Sequence, residues 1–318
     1  MSEPLVTIGI PTYNRAQKNL RAAIQGALAQ DYPSVEVVVC DNASTDTTPE
    51  LMAELADPRL RYIRHDENIG PNNNFNACVE HANGEYFLLL HDDDHIDPDF
   101  VSTCMTQAQS QTYGVITTGL RFVDVHGNPG FERENTSTGD QFVDLIRGWL
   151  NKRTNMYCCN TLLHTQTLRD VGGYQSANNL FQDVLAQVKV AAVQGHLAVR
   201  PVKAGFRLDD SSLGSSAAVK AWLEDSVQLR NTIVELSPED EQAAIHNEIS
   251  AFLCRMTYLR VEGSGTPGKR FANYLAVRNQ FDNACPMFGF LWEKELRPAL
   301  RALKARLLSP AAPSKSLA

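Results

Sequence analysis

The chain has 318 residues, a formal charge of −8 and 43% hydrophobic residues. That composition supplies an ordinary globular core, and the acidic balance excludes broad nucleic-acid binding, which calls for a basic face. No stretch reaches the roughly 18 apolar residues of a membrane-spanning helix. The opening MSEPLVTIGIPTYNR lacks the features of a signal peptide, and seven cysteines at irregular spacing suit reduced thiols in a cytosol.

The first hundred residues alternate between two periodicities. Residues 5–10 are a short β-branched run, followed by an expected turn at Pro11-Thr12-Tyr13-Asn14. Residues 15–30 place Leu20, Ala23, Ile24, Ala27 and Leu28 at helical spacing. Residues 35–40 are nearly all apolar, which predicts a strand buried on both faces. The polar run 41–46 can cap a helix. Residues 60–64 predict a third strand, 72–82 a helix and 86–90 a further strand. Beyond these, 115–118 and 161–163 read as strands, 140–150 and 182–194 as helices, and 217–236, 238–260 and 270 onward as helical. The alternation predicts an α/β fold, with a mostly parallel sheet flanked by helices and a helical C-terminal region. Ligands bind such sheets beyond the carboxyl ends of the strands. Residues 11–13, Asp41 and residues 92–94 each follow a predicted strand, so one sheet edge should gather them.

Asp92-Asp93-Asp94 follows directly on the apolar run 86–90. Carboxylates this close raise each other's pKa values, and a hard divalent cation such as Mg²⁺ or Mn²⁺ relieves the conflict. Plainer readings exist. The triplet could cap a helix starting at Pro98, Asp41 could be a helix cap, and Asp183 could be a solvated acid. The shared edge favours a site. His91 and His95 are read as structural, and Cys158-Cys159 as packing. The run Gly263–Lys269 imitates a P-loop, but Arg270 replaces the hydroxyl residue that would bind Mg²⁺, so it reads as a linker.

The segments IGIPTYNR, VEVVVCDNASTDTT, ENIGPNNNFN and GEYFLLLHDDD, in that order, resemble the family 2 glycosyltransferases of the GT-A fold. The resemblance implies a Rossmann-like nucleotide-diphospho-sugar transferase, a UDP- or dTDP-sugar donor, Mn²⁺ or Mg²⁺, and inversion at the anomeric carbon. Pro11, Thr12, Tyr13 and Arg15 match the loop that holds the nucleotide. Asp41 matches the aspartate that bonds the base, and Asn68 lies in the loop beside it. Asp93 matches a metal ligand, Asp94 supports it, and Asp92 faces the ribose or the metal. Gly172-Gly173-Tyr174 and Phe181-Gln182-Asp183 resemble the family's glycine pair and its later Glu-Asp, so Asp183 matches the catalytic base. Phe206-Arg207-Leu208-Asp209 resembles the Tyr-Arg-x-His segment, with Asp209 in place of the histidine that completes the metal site.

The resemblance further implies a glycan or lipid-linked acceptor in surface polysaccharide or related glycan biosynthesis, and a cytoplasmic enzyme. Two other readings compete. One is a sugar nucleotidyltransferase, whose glycine-rich loop PTYNRAQKN lacks. The other is a nucleotide-sugar-binding protein without transferase activity, against which Asp183 and Asp209 stand. A catalytic domain is expected over 1–212, with a nucleotide half to about 110 and an acceptor half from 111. A helical region is expected over 213–308 and a disordered tail over 309–318. The amphipathic segment 292–308 puts Leu296, Leu300, Leu303 and Leu307 on one face. It suits peripheral contact with the inner face of a membrane, or packing on the catalytic domain or on a second subunit.

Overall fold

Strand β1, Val6–Thr12, is buried along its whole length and lies parallel between β2, Val35–Asp41, and β4, Tyr86–Leu89. β3, Leu60–Arg64, extends the parallel set beyond β2. Runs such as VEVVVCD and YFLL form strands here because helices cover both faces of the sheet, so no polar alternation is needed. The covering helices in this half are α1, Leu20–Leu28, α2, Thr48–Glu54, and α3, Pro71–Glu80. The computed structural model describes residues 3–109, 111–208, 217–261 and 265–292, with 294, 297, 300 and 301.

The second half adds β5, His95–Ile96, α4, Phe100–Ala108, β6, Val115–Val123, and β7, Pro129–Arg133. Then come α5, Phe142–Leu150, β8, Thr161–His164, α6, Thr165–Asp170, α7, Gln182–Gln194, and β9, His196–Arg207. The sheet order is β3-β2-β1-β4-β8-β6-β9-β5, with β7 on β6. β6 and β9 run parallel, while β8 pairs antiparallel with both β4 and β6 and so joins the two halves. Helix α8, Val219–Leu236, follows. The core lies between the sheet and its helices, around Ile8, Ile24, Val37, Leu88, Phe100 and Leu162.

Among the elements that differ from expectation, β5, β7 and α6 were not expected at all, and three more bear on the site. β1 runs two residues further, with Pro11 opposite Cys40 and Thr12 opposite Asp41. The turn begins at Asn14, whose φ is 55°. α1 starts at Leu20 rather than Arg15 because the preceding segment is tied to the 42–47 loop: the Asn14 N–H donates to Ser44 Oγ (2.9 Å) and the Ala16 N–H to Asp46 Oδ2 (3.1 Å). β9 carries no continuous apolar run, since Arg200, Pro201 and Lys203 interrupt it. It forms because it can pair with β6, through register shifts at Gly119.

The chain divides into two compact units, residues 1–245 and 246–318. The second holds most of α9, Gln242–Val261, then α10, Pro267–Gln280, and α11, Met287–Leu291. Its core holds the Tyr258, Tyr274 and Phe290 rings, with centroids 5.1–5.8 Å apart. Thr266 caps α10, its Oγ1 accepting from the Lys269 N–H (3.4 Å), so the end of the P-loop-like run is a helix start. Gly263, the boundary run 211–216, the tail 309–318, and Leu296, Leu303 and Leu307 lie outside the described residues. No helix among the described residues is long and apolar enough to cross a membrane.

Candidate active site

The parallel register of β1, β2 and β4 places Thr12, Asp41 and Asp92 at neighbouring carboxyl ends. Thr12 Oγ1 donates to Asp92 Oδ2 (2.7 Å), which ties two of these ends together. Asp41 is fully buried. It accepts from Tyr62 Oη (2.5 Å) and the Ser44 N–H (2.9 Å), with Arg64 Nε 3.5 Å away. Burial first, and then the Asp41 carboxylate, push the Tyr62 hydroxyl up, so it stays a donor. Tyr62 and Arg64 were legible only as parts of a strand.

Side-chain amides lock the loops around this edge. Asn14 Oδ1 accepts from the Thr45 and Asp46 N–H groups. Asn68 Oδ1 accepts from Asn42 Nδ2 (2.9 Å) and the Gly70 N–H (2.9 Å), so Asn68 holds the loop in shape. Pro11 is buried at the strand end, whereas Tyr13 is 44% exposed beside it.

Asp92 is buried, and burial pushes its carboxyl up to about 6. Arg15 Nε stands 3.9 Å from it. Asp94 is pushed up to about 8, by burial and then by Asp93. Its Oδ1 accepts the Arg207 N–H (2.9 Å), but its Oδ2 is buried without a hydrogen-bond partner, 3.8 Å from His91 Nδ1. His91 Nε2 is likewise buried and unpartnered, and burial lowers the imidazole's pKa and keeps it neutral. One ligand atom each from His91, Asp93 and Asp94 lie within 4.8 Å of one another. Orphaned buried polar atoms carry a cost of about 1–3 kcal/mol each, and a neutral imidazole with two carboxylates is a donor set that suits a divalent cation. These residues fit such an ion. His91 therefore joins the acids, while Asp92 turns to Thr12 and Arg15. Asp209 lies outside the described residues.

Arg207, at the end of β9, closes the opposite side. Its Nε donates to the Asp93 carbonyl (2.8 Å) and its guanidinium to the Asp124 and Val125 carbonyls (3.1 and 3.2 Å). Arg15, Lys18, Asn19, Asp93, Val125 and Arg207 line a cleft of about 280 Å³. Three cations facing an acidic cluster can hold a polyanion beside a cation.

Asp183 is the second residue of α7, half-buried, with Oδ1 accepting the Val184 N–H (2.8 Å). Burial pushes its carboxyl up to about 6. The Cys158 thiol is raised mainly by burial, and the Asp183 and Asp94 carboxylates add to the rise. Phe75 bridges the same region, its ring 5.2 Å from His91 and 6.3 Å from Tyr174. The asparagines of PNNNFN prove to be tethers. Asn72 and Asn76 Nδ2 donate to the Tyr174 carbonyl (2.7 and 3.0 Å), and Asn76 Oδ1 accepts the Tyr174 N–H (2.8 Å). Gly173 has φ 67°, and a Cβ there would meet Asn76 Oδ1 at 2.4 Å, so only glycine lets the chain reach this tether.

A model for glycosyl transferase family 2 matches residues 7–172. Succinoglycan biosynthesis protein ExoO of Rhizobium meliloti (strain 1021) is 38% identical over 124 residues, 39% of this chain and 35% of that protein. The chain thus matches about a third of that relative's length. Among solved structures, S. aureus TarS 1-349 in complex with UDP-GlcNAc superposes with a TM-score of 0.67 at 18% identity, covering 89% of this chain and 82% of that one. The mannosyltransferase PcManGT from Pyrobaculum calidifontis, in complex with GDP-Man and Mn²⁺, gives 0.57 at 19% identity, covering 92% and 89%. At these identities the likeness is one of fold, and that fold is the GT-A α/β arrangement the sequence motifs imply.

Proposed function

The chain belongs to glycosyl transferase family 2, and from that premise we propose that it moves a sugar from a nucleoside-diphosphate sugar to an acceptor hydroxyl, with inversion at the anomeric carbon. One observation carries the reading. His91 and Asp94, each with a buried and unpartnered polar atom, bring one ligand atom each within 4.8 Å of Asp93, which lines a cleft with Arg15, Lys18 and Arg207. This is a setting for a diphosphate with a cation.

His91, Asp93 and Asp94 would hold Mn²⁺ or Mg²⁺, with Asp209 as a further oxygen ligand. Bound there, the ion supplies Lewis-acid neutralisation of the leaving diphosphate. Arg15, Lys18 and Arg207 hold phosphate oxygens and share that charge. Thr12 fixes the Asp92 carboxylate toward the ribose. Asp41 takes an N–H of the base. It has no exposed surface, with Tyr62 and the Ser44 N–H on its oxygens and Arg64 Nε 3.5 Å away, so base binding requires a local rearrangement at this strand end. Tyr13 and the Asn68 loop border the base.

Asp183 accepts the proton of the attacking hydroxyl. A carboxyl raised to about 6 is ionised at neutral pH yet more basic than an ordinary aspartate, which suits a general base. Rate should therefore fall as pH drops through about 6. The acceptor is a glycan or lipid-linked saccharide of polysaccharide assembly, the setting that the name of ExoO gives for that relative.

A thermal-shift screen of UDP-GlcNAc, UDP-glucose, dTDP-glucose and GDP-mannose, each with and without Mn²⁺, tests the reading. A donor that binds the native state raises the melting point by mass action. The expected result is a shift with one donor class that grows when Mn²⁺ is added. No shift with any donor would refute it.

A further inference from the structure

The approach to Asp183 is organised from outside the span matched by the family model. Asp225, on α8, is fully buried, and its carboxylate gathers five donors from the loop that enters α7. Oδ1 accepts the Asn178 N–H (2.7 Å) and Asn178 Nδ2 (3.0 Å). Oδ2 accepts Ser176 Oγ (2.6 Å) and the N–H groups of Leu180 (2.9 Å) and Phe181 (3.3 Å). Two more residues of α8 reinforce the hold. Gln228 Oε1 accepts the Ala177 N–H (2.8 Å), and the Trp222 ring meets Phe181 edge-on with centroids 5.4 Å apart. Phe181 is the residue immediately before α7, and Asp183 lies two positions later.

The loop 176–181 forms no strand, and Asn179 adopts φ 57°, so its own backbone does not fix it. Buried N–H groups need partners, and here one side chain supplies most of them. The other end of the loop is tied through Tyr174 to α3. The first turn of α7 is therefore suspended between α3 and α8.

We infer that Asp225 is a positioning residue for catalysis: it fixes the segment that carries Asp183 and so sets where the base meets the acceptor. The inference rests on the reading of Asp183 as general base. A base must lie within hydrogen-bond reach of the proton it takes, and small misplacements of a reacting group cost rate steeply. Asp225 touches neither the cleft cations nor the acids at the strand ends, so nucleotide binding should not depend on it.

The test compares full-length wild type with Asp183→Asn, Asp225→Ala and Asp225→Asn. Turnover is followed as nucleoside diphosphate released with Mn²⁺ from whichever of UDP-GlcNAc, UDP-glucose or GDP-mannose the wild type uses fastest. Calorimetry with UDP and Mn²⁺ measures nucleotide affinity. Deuterium uptake at residues 176–184 of the ligand-free chain reports the loop. Asp225→Ala is expected to lower kcat about tenfold or more, leave donor KM and UDP affinity within about twofold, and speed exchange at Asn178, Leu180 and Phe181. Its acid limb should move to lower pH as Asp183 becomes more solvated. Asp225→Asn keeps the volume and one carbonyl oxygen, so it should fall between the two and decides the matter if the alanine variant does not fold. Wild-type kcat in both Asp225 variants, or equal loss of kcat and UDP affinity, would overturn the inference. A fully active Asp183→Asn would instead remove the base reading itself. An inactive Asp183→Asn beside active Asp225 variants would sink only the positioning role.

Discussion

On the side proposed for the nucleotide, Thr12, Asp41 and Asp92 sit at or just past the ends of β1, β2 and β4, whose spacing is set by backbone ladders in continuous parallel register. On the side proposed for the acceptor, Asp183 sits on a helix whose approach is held by the side chains of Asn72, Asn76 and Asp225. The first arrangement is local and repetitive, so a substitution in its scaffold strains packing without moving the site. The second depends on individual polar contacts between residues far apart in sequence, so a single distant change can displace the chemistry while leaving the fold.

If the two sides are independent, binding and rate should separate. Asp183→Asn should cut transfer by about 10²–10⁴-fold while calorimetry with UDP and Mn²⁺ returns near wild-type affinity. Equal loss of both would mean that the two sides are not independent. The mirror experiment is Asp93→Ala. Mn²⁺-dependent UDP affinity should fall by about 10–100-fold, the range seen when support of a metal ligand is lost. Unchanged affinity would remove Asp93 from the cation site.

The same contrast explains what the sequence displayed. Residues 35–41 and 86–94 announce strand and acid in one contiguous word, because a buried parallel strand is apolar throughout and its ligands follow directly. Helix α7 was legible to the residue, with Asp183 in its first turn. His91 was not legible as a partner of the acids: a histidine beside three aspartates reads the same whether its ring turns inward or packs, and only burial without a partner distinguishes the two. The Asn72 and Asn76 tethers and Asp225 were invisible for a different reason. Each acts on residues about 45 to 100 positions away, and no periodicity encodes such a contact. β9 was hidden because its charged, proline-interrupted sequence becomes a strand only in the company of β6.

A strain in the nucleotide-side scaffold should cost stability and little else. Gly9 lies in β1, where a Cβ would come within 2.6 Å of Phe87 Cε2 and 2.9 Å of Cys78 Cβ. Overpacking of this kind costs about 1–3 kcal/mol, so Gly9→Ala should lower the denaturation midpoint. Its UDP affinity should stay near wild type, because the ladder that sets Thr12 and Asp41 runs through backbone bonds. A large drop in affinity would show that this side, too, transmits packing to the site.

The smallest effect is a pH dependence. The buried Asp94 carboxyl is pushed up to about 8 in the folded chain, against about 3.9 when unfolded. Between those values the folded state binds a proton that the unfolded state does not, so stability declines as pH rises through the window and levels off above about 8. His91, His95 and His196 are all lowered by burial and act in the opposite sense, but only below the ordinary imidazole value of about 6.5. Asp92 and Asp183, both near 6, are largely ionised by pH 7. Near pH 7, then, Asp94 dominates, while the buried thiols, raised by burial, add in the same sense as pH nears 8, so the metal-free chain should lose melting temperature between pH 7 and 8 more steeply than Asp94→Asn, with the difference largest at the lower end. A cation and a proton compete for the same carboxylate, so stabilisation by Mn²⁺ should grow over the same interval in wild type and not in the variant. An identical slope in both proteins would detach the raised carboxyl from the cation site and leave Asp93 and His91 to hold the ion without it.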